Sequence, residues 1–132
     1  MSGFIWYDLM TPDMKASADF YAHVVGWTIA DSGMPGMDYA IIKAGGVDVG
    51  GMMPVPPSAK AMPPCWNGYI HSTDVDKDAK RAVKLGGKVI QKAMDIPGVG
   101  RFAALAAHVW QQETRGAYVT PVPGARAGTP LI

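Results

Sequence analysis

A strand, a capped helix and a glycine stop occur twice in this chain, 61 residues apart, and that repeat limits the fold more than any other feature. In the first copy, residues 3–11 alternate and carry aromatics, as a strand does. Asp13 is placed to cap a helix running from Met14 to Gly26, with Ala18, Tyr21, Ala22 and Val25 at helical spacing. Short strands are predicted at Trp27–Asp31, Tyr39–Ala44 and Val47–Met53, the last two joined by Gly45-Gly46, a pair suited to a turn with positive φ. In the second copy Asp74, Ala79 and Gly87 take the places of Asp13, Ala18 and Gly26. A strand at Trp66–Thr73, a helix at Val75–Leu85 and strands near Lys88–Ala93 and Arg101–Ala106 follow in the same order. These matches fall on a cap, a helix face and a helix stop, where backbone and packing allow least variation.

The organisation predicted is therefore an α+β protein of two βαβββ modules, residues 1–53 and 65–113. Between them, residues 54–64 ("PVPPSAKAMPP") hold too many prolines for a sheet interior and read as a linker. Residues 114–132 lack clear periodicity and are expected to be an irregular tail. At the repeat offset Ala106-Ala107 stand where the first module has Gly45-Gly46. Alanine tolerates positive φ poorly, so the last hairpin is expected to be atypical. Either the strands run on as one segment exchanged with a partner chain, or the hairpin is distorted with Trp110 over the cavity.

The segments "WYDLMTPDMKASADFYAHVVGW", "GGMM", "STDVDKDAKRAVKLGGKVI" and "MDIPGVGRFAALA", in that order and spacing, resemble the vicinal oxygen chelate superfamily, the glyoxalase, bleomycin-resistance and extradiol dioxygenase group. The resemblance implies curved mixed sheets enclosing a cavity, often with two chains completing the sites. It also implies, in metal-dependent members, ligands on the first and last strands of each module. Those places fall here at Trp6 and Asn67, and near Gly50 and Gln111. Trp cannot ligate a metal and Asn is a poor ligand, so a metal-free site is expected, with a divalent metal as the alternative.

Alternation along the first strand sets Ile5, Tyr7 and Leu9 toward the helix, and Trp6, Asp8 and Met10 toward the opposite, concave face. The repeat offset places Asn67, Tyr69 and His71 there too. Trp6, Met10, Asn67 and Trp110 are thus expected to line a ligand cavity. Asp8, His71 and Tyr69 are the candidates for chemistry. Burial raises a carboxyl pKa, His titrates near neutrality, and a Tyr hydroxyl can donate to a developing oxyanion. Cys65 and His71 lie six residues apart on one extended segment, roughly 20 Å at the usual rise, too far for a dyad within a chain.

Two function classes stay open: a metal-free protein that binds a small organic molecule, and an enzyme (lyase, isomerase, hydrolase or dioxygenase) using Asp8 and His71 or a divalent metal. A net charge of +1 with no long run of like charge argues against nucleic acid and against an electrostatic membrane anchor. No apolar run reaches the length of a membrane span, and the single cysteine suits a reducing compartment, so a cytoplasmic protein is expected. A homodimer, domain-swapped or not, is the expected assembly.

Overall fold

The computed structural model describes residues 3–57, 63–96, 99–107 and 114–121. The fold is α+β. Its elements are β1 (Phe4–Thr11), α1 (Met14–Val25), β2 (Thr28–Asp31), β3 (Ala40–Ala44), β4 (Val47–Pro54), β5 (Cys65–His71), α2 (Val75–Lys84), β6 (Lys88–Ile96), β7 (Gly100–Ala107) and β8 (Thr114–Pro121). Contacts divide the chain into two units, Trp6–Trp66 and Met1–Ile5 with Asn67–Ile132, and each is taken in turn.

In Trp6–Trp66, β1 runs parallel to β4, β4 antiparallel to β3, and β3 antiparallel to β2. The helix begins where Asp13, in extended backbone, accepts from the Ala16 N–H at 2.9 Å. It ends at Gly26, whose φ of 72° is the left-handed conformation that a residue with Cβ resists. Between cap and stop, Met14, Ala18 and Tyr21 face the sheet and pack on Leu9, Ala40, Ile42 and Met52. Helical period and strand alternation thus meet on one apolar face. The Gly45-Gly46 turn between β3 and β4 has φ of 57° and 82°, as the hairpin required.

The other unit repeats this pairing: β5 parallel to β8, β8 antiparallel to β7, β7 antiparallel to β6. Asp74 caps α2 through the Lys77 N–H at 3.0 Å, and Val75, Leu105 and Ala103 are buried. The Arg101 guanidinium on β7 holds Asp76 on α2 at 2.7 Å and Asp95 on β6 at 3.1 Å.

The end of this module corrects the expectations above. Ala106-Ala107 make no turn; β7 continues through Ala107, which pairs with Thr114. Residues 114–121, expected to be an irregular tail, form β8, and β7 and β8 pair within the chain rather than running on as one exchanged segment. Tyr7 pairs with Gly50, and its counterpart Gly68 pairs with Gly116, so the last strand follows at an offset of 66 and not 61. The extra residues enter before β8, which moves the last-strand place from near Gln111 to near Gly116. Trp110 and Gln111 lie outside the described residues.

Candidate functional site

Asp8 has no exposed surface, Trp6 keeps 1% and Tyr39 2%. The three are brought together by strand register. Leu9 packs under α1, so by alternation Asp8 points to the opposite face of the sheet. On β4 the partner of Asp8 is Gly51, and on β3 the partner of Gly51 is Ile41. Tyr39, two residues before Ile41, shares that face at the head of β3. Its ring lies back across Gly51, where a Cβ would run into the phenol hydroxyl. The missing side chain is what admits the ring, as glycine in a strand interior commonly does for a close neighbour.

The Tyr39 hydroxyl donates to Asp8 Oδ1 at 2.7 Å. Trp6 Nε1–H lies 3.0 Å from the same oxygen and 2.9 Å from the Tyr39 hydroxyl, so it is shared between the two acceptors. A buried carboxylate is tolerated only with such donors, since an isolated charge in an apolar interior is strongly unfavourable. Burial pushes the Tyr39 pKa well up, and the charge of Asp8 and its hydrogen bond push the same way. Tyr39 is therefore a proton donor to Asp8 throughout the neutral range.

Tyr39 was not among the residues singled out from sequence. The available signal was Gly50-Gly51, two glycines inside a strand, but which aromatic ring would fill the space depends on register across three strands. Met10 is half-buried on β1. On β5, in the second unit, Tyr69 is buried while Asn67 and His71 are half-buried, and the His71 N–H donates to the Gly3 carbonyl at 3.0 Å. On the exposed side of α1 the His23 ring meets the Asp19 carbonyl at 2.7 Å, while the Asp19 carboxylate pairs with Lys15.

A divalent metal of the kind implied by the resemblance does not fit the described donor set. The first-strand place holds Trp6, whose indole nitrogen is a donor and carries no lone pair for a cation. The last-strand place, Gly50, has no side chain. Asp8 already accepts two hydrogen bonds on one oxygen. Among the described residues no group of three or more His, Cys, Asp or Glu is placed to hold a metal ion. No helix among them is long and apolar enough to cross a membrane.

Comparison with known proteins agrees with the fold. The family model "Glyoxalase/Bleomycin resistance protein/Dioxygenase superfamily" matches residues 3–114, and the chain belongs to that superfamily. The chain is 36% identical over 115 residues to the "Putative glyoxylase CFP32" of Mycobacterium tuberculosis, covering 80% of this chain and 44% of that protein. It is 34% identical over 149 residues to the anthracycline biosynthesis protein DnrV of Streptomyces peucetius, covering 96% of this chain and 54% of that one. The chain thus spans about half the length of these relatives. Among solved structures, the methylmalonyl-CoA epimerase of Mycobacterium tuberculosis superposes with a TM-score of 0.61 at 14% identity, over 92% of this chain and 89% of that one. A superfamily member from Vibrio splendidus gives 0.59 at 11% identity, over 91% and 99%. At such identities the likeness is one of fold.

Proposed function

We propose that this chain is a binding protein of the superfamily, which takes a small organic molecule without a resident metal in a site whose wall is ordered from behind by the buried Asp8 carboxylate. The observation that carries this reading is the complete burial of Asp8 with two aromatic donors on one oxygen. An apolar side chain there would stabilise the sheet at least as well, because replacing buried ionic groups by packed apolar ones is often neutral or favourable. Retaining a carboxyl group there, bonded to both Tyr39 and Trp6, suits a site whose aromatic side chains must be held in fixed positions. Trp6, Met10, Asn67 and Trp110 are proposed to contribute to binding, and the assembly is proposed to be a homodimer in a cytoplasmic setting. The names of the relatives, a glyoxylase and an anthracycline biosynthesis protein, suggest dicarbonyl and aromatic compounds as the first ligands to try.

The test is a thermal-shift screen of the whole chain over such compounds, repeated with Asp8→Asn. A compound that raises the melting temperature of the parent and not of the variant supports the reading. Ligands that stabilise both equally overturn it.

A second reading is acid-base catalysis, favoured by the 2.7 Å bond from a protonated Tyr39 to Asp8, a donor and acceptor held together inside the protein. Asp8, His71 and Tyr69 are its proposed catalytic groups. On that reading Asp8→Asn and His71→Ala abolish turnover of a bound compound while sparing its affinity, whereas unchanged rates remove it.

A further inference from the structure

The face of the first module opposite Asp8 holds a second feature. Helix α1, which packs on that face, stops at Gly26. Beyond it a recess of about 390 Å³ opens, walled by Tyr7, Trp27, Ile42, Ala44, Val49 and Trp66. Gly50 also lines it; it pairs with Tyr7, and a Cβ there would run into the Tyr7 backbone carbonyl, so only glycine lets the two strands approach as they do. The adjacent glycines of β4 therefore serve different contacts: Gly51 admits the Tyr39 ring toward Asp8, and Gly50 admits the backbone of β1 beside the recess.

Its aromatic wall is prearranged. Tyr21 and Trp27 are stacked with ring centroids 5.2 Å apart and planes at 19°. Trp66 stands edge-on to both, at 5.5 Å and 80° to Tyr21 and at 5.9 Å and 82° to Trp27. The Trp66 indole N–H donates to the Tyr21 hydroxyl at 3.0 Å, which holds the ring and directs its polar atom into the cluster. The lining holds no acidic, basic or histidine side chain. The nearest charges along β3 and β4, Lys43 and Asp48, pair with each other.

The geometry points to a second binding site, on the helix side of the first module, for a flat, uncharged aromatic small molecule. The volume falls in the range of small-ligand pockets, about 300–1,000 Å³. A stable protein interface would need roughly 800 Å² on each partner, and a single-molecule recess answers the former better. Rigid aromatic rings at right angles offer both stacking and edge contacts to a planar guest. With no charged group to offset desolvation, an ion would be disfavoured there.

The test uses the full chain and N-phenylnaphthylamine, a neutral dye whose emission rises in apolar surroundings, with its anionic relative anilinonaphthalene sulfonate alongside. The expected result is saturable binding of one neutral dye per chain, with the sulfonate weaker by roughly tenfold or more. Filling the recess by Ala44→Phe, and independently by Val49→Phe, weakens the neutral dye by roughly tenfold or more while circular dichroism reports an intact fold. Equal binding by both folded variants and the parent overturns the proposal. So does loss of the dye in Asp8→Asn with retention in the filled variants, which would put it on the other face. Sedimentation showing that the filled variants turn a dimer into monomers overturns it as well, because a second copy of the chain would then be the occupant.

Discussion

The Tyr39 hydroxyl and Asp8 Oδ1 lie 2.7 Å apart across the strand that separates them, with Gly51 of β4 between β3 and β1. Burial of the carboxylate is bearable because the phenol reaches it, and the phenol reaches it because Gly51 has no side chain. Three residues on three strands thus share one fate. Gly51→Ala is expected to destabilise the chain by about 1–3 kcal/mol, since the new methyl group forces the phenol off Asp8. Urea denaturation reads the loss, and an unchanged midpoint would mean the ring moves aside freely.

Tyr39 also makes stability fall at high pH. An ordinary tyrosine ionises near 10, whereas burial and the Asp8 charge hold Tyr39 protonated in the folded chain well above that. Above about pH 10 the unfolded chain has therefore released a proton that the folded chain retains, and stability drops by about 1.4 kcal/mol per pH unit from this group. Below pH 10 both states keep the proton and the contribution is complete. In an ultraviolet titration Tyr39 should fail to ionise until the protein unfolds, so Tyr39→Phe should remove one tyrosine from the late step.

The two helix caps offer a test of the repeat. Asp13 accepts from Ala16 N–H at 2.9 Å and Asp74 from Lys77 N–H at 3.0 Å, the same geometry in each module. Asp13→Ala and Asp74→Ala should each cost about 0.5–2 kcal/mol, measured by thermal unfolding. A large effect for one and none for the other would mean that the modules do not rely on their helices alike.

How much of this was legible from sequence depends on whether the information is local. The caps, the Gly26 stop and the Gly45-Gly46 turn are each set by a few adjacent residues, and all appear where the pattern placed them. The inward turn of Asp8 followed from period-two alternation and a helix that needed Leu9. The eighth strand was missed because its offset changes to 66, an insertion that the fixed repeat hid. Gly116 and Pro121 at its middle and end also resembled tail composition more than strand. Tyr39 was missed for a different reason: its partner is chosen by the register of β1, β4 and β3 together, which no single segment encodes.

The Arg101 cluster should respond to salt as the buried network does not. The guanidinium bridges Asp76 and Asp95, and hydrogen bonding to it holds the Asp76 carboxyl below the usual range. A depressed carboxyl contributes stability that is present above its unfolded pKa and is lost as pH falls through the folded one. Because these groups are accessible, the contribution is small and screened by salt. Arg101→Gln should therefore lower the melting temperature modestly at low ionic strength and leave it nearly unchanged in molar salt.

Asp8 and Tyr39 are expected to act as a unit, and a double-mutant cycle measures it. Tyr39→Phe leaves a buried carboxylate with one donor fewer, and Asp8→Asn leaves a phenol facing an amide in place of a charge; each single change carries a desolvation penalty of about 1–3 kcal/mol. Once either partner is gone, removing the other forfeits less, so the double variant should cost less than the sum by about 0.5–3 kcal/mol. Strict additivity in urea denaturation would show that the bond between them contributes nothing of its own. Coupling in stability, together with loss of ligand stabilisation in Asp8→Asn, would then tie ligand binding to the buried pair that Asp8 and Tyr39 form.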